Sequence, residues 1–268
     1  MDPLVSIPIL CHDYGRFLPE AIESALAQSY ARVEVVVWDD GSTDDTRDVA
    51  ARYPEVELVS QENVGLVRTC NRAVTAARGE WFCFLSADDR FDPTYVEELL
   101  ESVLASEGAS FAYCDASLFG AQSGVQRSLA FDPVTLAHVN FVNGCALTRR
   151  ADYIAIGGYD QELETVGFED WDFWLRMVGN GRRGAYLPKP LLHWRRHQTG
   201  SRNPTSDPEV ARAAAIVRKR NAGVVERLSS VRGKRLARRL AVDPRIVNLA
   251  IARRAVERRL WRAVTARG

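Results

Sequence analysis

The chain lacks the glycine-rich signatures of the common phosphate-binding loops. No GxGxxG follows its first apolar run and no GxxxxGK[ST] occurs anywhere, which disfavours a dinucleotide-binding fold and a P-loop enzyme. Cysteine is sparse: Cys11, Cys70, Cys83, Cys114 and Cys145 are scattered, odd in number and form no CxxC pair. A disulfide framework or a zinc knuckle is therefore disfavoured, and reduced thiols in a cytosolic compartment fit best. No stretch approaches the roughly 20 apolar residues of a membrane-spanning helix. The opening Met1-Asp2-Pro3-Leu4-Val5 has neither the basic start nor the apolar run of a signal peptide. The expectation is a cytoplasmic protein that does not itself cross a membrane. Internal repeats and low-complexity tracts are missing too.

What is present is enough for a large core. At 268 residues, 46% hydrophobic and 26% charged, the composition suits one big α/β domain, or one domain with a smaller appendage. The formal net charge of +0 hides an asymmetry. Of 35 Lys and Arg, 17 lie from Val210 onward against three acids (Glu226, Asp243 and Glu257), so that segment carries +14 and the remainder −14. So sharp a split predicts two parts with different tasks.

Along the first half, apolar runs alternate with amphipathic stretches. Leu4–Leu10, Val33–Trp38, Val56–Ser60, Trp81–Leu85 and Ser110–Asp115 read as strands. Phe17–Gln28, Thr43–Tyr53 and Val64–Arg78 read as helices, as does a stretch from Asp92-Pro93 to about Ala105. Ser42 and Asp45 are spaced like a capping box, Asp92-Pro93 like an N-cap followed by proline at the first helical position, and Gly79 like a helix stop. This order predicts a mostly parallel sheet covered on both faces. Residues 116–200 are less regular. Ser201–Pro208 reads as a linker, and from Glu209 the pattern is helical, with one apolar stripe over Val217, Val224, Leu228 and Val231 and another over Ile246, Leu249, Val256, Leu260 and Val264.

Parallel sheets bind ligands beyond the carboxyl ends of their strands. Three polar clusters follow strands directly: Cys11-His12-Asp13, Asp39-Asp40-Gly41-Ser42 and Ser86-Ala87-Asp88-Asp89. Strand geometry brings all three to one edge. Taken singly, each acidic cluster can equally be an exposed turn or a helix cap. Paired aspartates at a strand end can also hold Mg²⁺ or Mn²⁺ against a diphosphate. Glu169 and Asp170 can likewise cap the helix that carries Trp171 and Trp174. Those two tryptophans read as core, with a stacking role open to one of them, and Trp194 open to the same two readings. Cys70 and Cys83 read as plain core.

The combination resembles family-two glycosyltransferases with the GT-A fold. The resemblance is carried by Val5-Ser6-Ile7-Pro8-Ile9, Leu26-Ala27-Gln28-Ser29, Val35 to Asp44, Asn63-Val64-Gly65, Arg68 with Asn71, and Gly79 to Asp89. It continues through Gly157-Gly158-Tyr159-Asp160, Phe168 to Asp172 with Arg176, and Arg195-Arg196-His197, covering roughly residues 3–203. It implies a nucleotide-sugar-binding half over 1–115 and an acceptor-binding and catalytic half of the same domain over 116–203; charge and helical pattern mark a basic helical extension over 204–268. It implies that Asp39 and Asp40, with Gly41 and Ser42 after them, bind the nucleoside, and that Leu10 and His12 line the base. Asn63, Arg68 and Asn71 stand near base and ribose. Asp88 contacts the donor, Asp89 is the metal ligand with Asp88 beside it, and Asp170 is the base with Glu169 as its partner. Arg195 and His197 belong to a loop over the diphosphate, where His197 contacts metal or phosphate. Two departures stand out: Ser86 where the family has an acid, and His12-Asp13 where it has a Tyr-Asn pair. The first keeps Asp88 and Asp89, so metal binding is expected to survive; the second bears on base stacking and nucleotide preference.

The implied reaction is inverting transfer of a sugar from a nucleoside-diphosphate donor, UDP-linked by family weight, to a hydroxyl. The acceptor is a glycan, a lipid-linked species or a small molecule, in glycan or polysaccharide synthesis, with Mn²⁺ or Mg²⁺ as cofactor. A sugar nucleotidyltransferase has a similar sheet, but it needs a glycine-rich basic loop that Leu10–Phe17 does not provide. A non-catalytic nucleotide-binding scaffold is the other rival. The basic segment over 209–268 has three readings: an amphipathic surface for anionic lipid at the inner face of the membrane, docking on the acidic domain, or oligomer contact. No nucleic-acid module accompanies its charge.

Overall fold

The computed structural model describes residues 2–198 and 207–228. The strands β1 (Val5–Cys11), β2 (Val33–Asp40) and β3 (Glu57–Gln61) alternate with helices α1 (Leu18–Leu26), α2 (Thr46–Ala50) and α3 (Leu66–Ala76). Next come short strands β4 (Trp81–Phe82), β5 (Leu85–Ser86) and β6 (Arg90–Phe91), then helix α4 (Tyr95–Ala105). The second half holds β7 (Ala109–Gly120), β8 (Gly124–Gln126), α5 (Pro133–Leu136), β9 (Leu147–Arg149), α6 (Arg150–Ala155), α7 (Glu169–Gly179) and β10 (Arg183–Arg196). Helices α8 (Asp207–Arg220) and α9 (Ala222–Leu228) close the described chain.

One sheet runs in the order β3-β2-β1-β4-β9-β7-β10-β6, with β5 on β1 and β8 on β7. The pairs β1–β2, β1–β4, β1–β5, β2–β3 and β7–β10 are parallel, while β9, β6 and β8 pair antiparallel. The mostly parallel α/β sheet expected from the alternation is thus present.

Strand periodicity explains why there are two cores. Successive side chains point to opposite faces. Val5, Ile7, Ile9, Trp81, Cys83, Leu85, Ala112 and Cys114 therefore pack on one side with α1 and α4. Phe82, Phe84, Phe111 and Tyr113 pack on the other side with α3, α6 and α7. Trp171 and Trp174, 3% and 1% exposed, are core residues of the second side.

Several boundaries differ from the expectations for physical reasons. The helix after β2 is shorter than the apolar spacing suggested: Asp45 is its N-cap and makes no side-chain cap bond. No Ser42–Asp45 capping box forms, because the Ser42 hydroxyl accepts the Asp13 N–H instead. Helix α3 ends at Ala76, short of Gly79. A Cβ on Gly79 would meet Ser6 Oγ at 2.6 Å, so this glycine serves a close approach of chains. Trp81–Leu85 is two strand pieces on β1, not one. Thr94 is the N-cap residue of α4, and Asp92 instead accepts the Thr94 N–H and hydroxyl, each at 3.0 Å.

The fourteen-residue β10 lay hidden in the irregular stretch. Its pairing with β7 shifts register between Leu187 and Leu192, where Pro188 and Pro190 cannot donate to the ladder. At the C-terminal end, Val217 is fully buried against the second core, and Val225 and Leu228 pack beside it. The stripe position Val231 and the stripe from Ile246 to Val264 lie outside the described residues. Among the described residues no helix is long and apolar enough to cross a membrane.

A buried polar cluster ties α8 and α9 to the domain. Asp172 is 2% exposed and accepts from Arg176 Nε and Asn221 Nδ2, both at 2.7 Å. Arg176 also donates to the carbonyls of Ile156 and Gly158 at 2.9 and 2.6 Å. Asp172→Ala strands these donors. Loss of one partner of a fully buried pair costs roughly 3–5 kcal/mol. Arg176 keeps 24% of its side chain exposed, which discounts the effect to about 2 kcal/mol. Urea denaturation measures it, and a loss below about 0.5 kcal/mol contradicts a stabilising role for the cluster.

Candidate active site

The parallel register aligns the strand ends. Cys11 pairs with Asp39, Asp39 with Ser60, Asp40 with Gln61, and Leu10 with Ser86. The three polar clusters therefore leave the sheet along one edge, as their position after strands predicts. Asp13 and Gly41 both turn with positive φ, 56° and 72°. The glycine is required, since a Cβ there would meet Asn63 N at 2.5 Å.

Asp39 and Asp40 begin as struts. Asp39 is fully buried and accepts from Ser42 N and Arg47 Nε, each at 2.8 Å. Burial works against its ionisation, but the bonds from Arg47, Ser42 and Ser60 outweigh it and hold the carboxyl below its ordinary range. Asp40 accepts from Gln61 Nε2 at 2.8 Å and from the N–H groups of Val64 and Gly65 at 2.9 Å. These bonds set the 63–65 loop beside β1, where Asn63 Nδ2 lies 3.1 Å from His12 Nε2. Leu10 is half-buried against the second core, and Arg68 is exposed on α3. Asn71 does not join this group. Its amide donates to Tyr159 O at 2.8 Å and accepts from the Tyr153 hydroxyl and Tyr159 N at 2.7 and 2.9 Å, which clamps α3 to the 157–159 turn.

The other side of the edge is a seam between the β5–β6 turn and the end of β10. Arg195 N donates to Asp89 Oδ1 at 2.8 Å, and Arg195 Nε donates to the Asp88 carbonyl at 2.9 Å. His197 Nε2 lies 2.7 Å from Asp88 Oδ2. Two of the implied roles change here. Asp89 is only 5% exposed, and burial with the charge on Asp88 raises its carboxyl well above the usual range. Arg195 is bonded to Glu20 at 2.8 Å, its guanidinium lies 4.6 and 4.4 Å from the rings of Phe17 and Phe119, and its side chain is 14% exposed. It works as an internal brace, not a free phosphate hand. Asp88 and His197 stay half-open, at 19% and 22%. Tyr14, which carried no motif, stands edge-on to the His197 ring at 5.9 Å.

Asp170 opens α7 behind Phe168, which takes the left-handed conformation (φ 62°) that non-glycine residues rarely adopt. Asn140 Nδ2 donates to Asp170 Oδ2 at 3.1 Å. A Cβ on Gly144 would reach Asp170 Cβ at 3.9 Å, and the thiol of the next residue, Cys145, is raised by burial and then by the charge on Asp89. Burial, and after it the neighbouring Glu169 charge, lift the Asp170 carboxyl to about 7.

Among the described residues no three His, Cys, Asp or Glu side chains form a metal cage. Mg²⁺ and Mn²⁺ sites on phosphate substrates need only one or two protein ligands, the rest being phosphate oxygens and water. The Asp88–His197 pair fits that demand, and buried Asp89 does not.

Residues 6–153 match the family described as Glycosyl transferase family 2, more than half of the chain. The chain belongs to glycosyltransferase family 2. Residues 129–198 also match the N-terminal domain of galactosyltransferase. Among curated relatives, an uncharacterised glycosyltransferase of Rickettsia felis is 29% identical over 191 residues, 66% of this chain and 31% of that protein. One of Rickettsia typhi is 28% identical over 190 residues, 66% of this chain and 59% of that protein. The chain thus spans under two thirds of these relatives. Two solved structures share the GT-A fold. Staphylococcus aureus TarS residues 1–349 with UDP-GlcNAc has TM-score 0.66 at 16% identity, over 84% of this chain and 71% of that one. The mannosyltransferase PcManGT of Pyrobaculum calidifontis with GDP-Man and Mn²⁺ has TM-score 0.61 at 18% identity, over 97% and 88%.

The raised Asp170 carboxyl has a stability signature. Its folded value of about 7 stands above the ordinary 3.8. Stability it contributes is complete below the ordinary value and is lost as pH rises through about 7. Asp170→Asn cannot ionise, so its unfolding free energy should fall less between about pH 5 and pH 8 than that of the natural chain. Parallel curves in chemical denaturation contradict the raised value.

Proposed function

We propose that the chain transfers a sugar, with inversion, from a nucleoside-diphosphate sugar to an acceptor hydroxyl. What supports this reading is Asp170, a carboxyl lifted to about 7 by burial and the Glu169 charge, in a chain that also pairs Asp88 with His197. A base poised near neutral pH suits proton removal from a hydroxyl, worth ~10²–10⁴-fold in typical enzymes. In the step, the acceptor O–H gives its proton to Asp170 and its oxygen forms the bond to the anomeric carbon. The bond from that carbon to the diphosphate oxygen breaks, and the nucleoside diphosphate leaves with the electron pair. Attack and departure lie on opposite sides of the carbon, so the configuration inverts.

Asp88 and His197 would hold the Mn²⁺ or Mg²⁺. When bound, the ion supplies Lewis-acid stabilisation of the departing diphosphate charge. Asp89, through its bond from Arg195 N, keeps the pair aimed. His12, Asn63 and the Gly41–Ser42 turn frame the nucleoside side. UDP is the first donor class to test, with the UDP-GlcNAc of TarS and the GDP-Man of PcManGT as guides. Glycan or polysaccharide synthesis beside a membrane is the setting that suits a basic segment after Val210.

A nucleotide-sugar panel with and without Mn²⁺ tests this. Thermal shift reads donor binding, because a ligand of the folded state alone raises the melting temperature. Release of nucleoside diphosphate reads turnover. Asp170→Asn should keep the donor-induced shift and lose roughly 10³-fold in turnover. Asp88→Asn and His197→Ala should lose the Mn²⁺-dependent part of the shift. A natural chain that shows neither shift nor release with any donor sinks the reading.

A further inference from the structure

Helix α8 lies beyond the residues that carry the family match, yet it is seated against the helix that opens with Glu169 and Asp170. Ala214 and Val217 of α8, 8% and 0% exposed, belong to the second core with Trp171 and Trp174. Asn221, 6% exposed, donates to Asp172 Oδ1 at 2.7 Å and to the Val217 carbonyl at 3.0 Å. A buried amide bonded in this way fixes one seating, because a slipped helix would leave it unpaired. The rotation of α8 about its axis is therefore set, and with it the place of Arg218.

Arg218 reaches two elements at once. Its Nη2 donates to the His138 carbonyl at 2.8 Å, and its guanidinium carbon lies 5.2 Å from the centre of the Trp171 ring. Trp171 Nε1 in turn donates to the Leu136 carbonyl at 2.7 Å. Two donors thus hold the 136–138 turn, one from α7 and one from α8. Two residues further on, Asn140 Nδ2 donates to Asp170 Oδ2 at 3.1 Å. The other Asp170 oxygen accepts the N–H of Trp171 at 2.7 Å. This loop has little regular structure of its own to fix it: α5 is four residues long, and no element stands between it and β9. The two carbonyl contacts therefore decide where Asn140 meets Asp170. At a reaction centre a misplacement of about 1 Å can cost roughly a hundredfold in rate.

We propose that Arg218 is a positioning residue for Asp170: from α8 it holds Trp171 and the 136–140 loop so that Asn140 meets the Asp170 carboxylate. The proposal rests on the sugar-transfer reading above, in which Asp170 takes the acceptor proton. It makes the C-terminal helix a working part of the reaction centre. The groups that titrate around Asp170 are Glu169 beside it and Tyr159, whose hydroxyl is raised first by burial. Both are kept when Arg218 is changed. The Asn140 bond favours the ionised form of Asp170, so a loosened loop should raise that carboxyl further.

The carboxyl ¹³C titration of Asp170 in the full chain, recorded without substrate, tests the coupling. Nucleoside-diphosphate release across pH tests its consequence. Arg218→Ala should move the titration above its value of about 7. Turnover should fall roughly tenfold near pH 7 and less near about pH 9, because a base with a raised value ionises later. The donor KM should stay unchanged. Arg218→Lys keeps a cationic donor and should restore part of both effects. Arg220→Ala removes the pairs of the same helix with Asp160 and Glu162 and should leave the titration in place, which separates positioning from a general loosening of the helix. In an Asn140→Ala chain, Arg218→Ala should add no further shift. An equal shift there would come from the lost charge itself and overturns the route through Asn140. Should Arg218→Ala fail to fold, Arg218→Met keeps the aliphatic stem without the donor and carries the same expectations. An unmoved titration, or a shift matched by Arg220→Ala, overturns the proposal. A natural chain without turnover on any donor sinks the transfer reading, and the titration still decides whether Arg218 governs Asp170.

Discussion

The site depends on a seam of three contacts between the β5–β6 turn and the last residues of β10. Arg195 N on Asp89, Arg195 Nε on the Asp88 carbonyl and His197 on the Asp88 carboxylate join segments more than a hundred residues apart in sequence. Without them, the acidic turn after β5 would have no tie to the end of β10. With them, one carboxylate is drawn inward as a buttress and its neighbour is left half-open beside an imidazole. Glu20, Phe17 and Phe119 lock the arginine from outside, so the pair is aimed before any ligand arrives. Preorganisation of this kind stabilises charge without reorganisation at the moment of reaction.

The Asp170 side is built on a different principle. Asp170 sits at the start of a helix, where the dipole favours an anion, yet burial and Glu169 lift its carboxyl to about 7. The Asn140 bond works in the opposite direction and favours the ionised form. The balance leaves a carboxyl able to exchange a proton near neutral pH. Phe168, held in a left-handed conformation just before it, is where the backbone adopts an unfavourable geometry to present the pair.

Much of this was legible in the sequence, and the limits are instructive. The alternating strands and helices of the first half are local patterns, and so is the appearance of polar clusters after strands. The Glu169-Asp170 pair is visible as adjacent acids, but burial, the larger cause of the lifted Asp170 carboxyl, comes only with the fold. What local pattern could not reveal is which of two adjacent aspartates turns inward. That is decided by pairing with β10, whose strand character is masked by Pro188 and Pro190. Asn71 carried the resemblance yet clamps α3 to the Tyr153–Tyr159 turn, because its partners lie more than eighty residues away. Tyr14 and Asn140 carried no motif, and only the fold brings them to the site. The Ser42–Asp45 spacing suggested a cap, but the competing bond from Asp13 N draws Ser42 across the strand ends.

The most direct measurement is a crystal grown with UDP and Mn²⁺, with the ion located by its anomalous scattering. The expected result is a single manganese peak ligated by Asp88, with the diphosphate on the rim that faces Asp170 and Asp89 uncoordinated. A peak on another face of the molecule, or UDP bound with Asp88 and His197 untouched, would contradict a reaction centre built on the β10 seam.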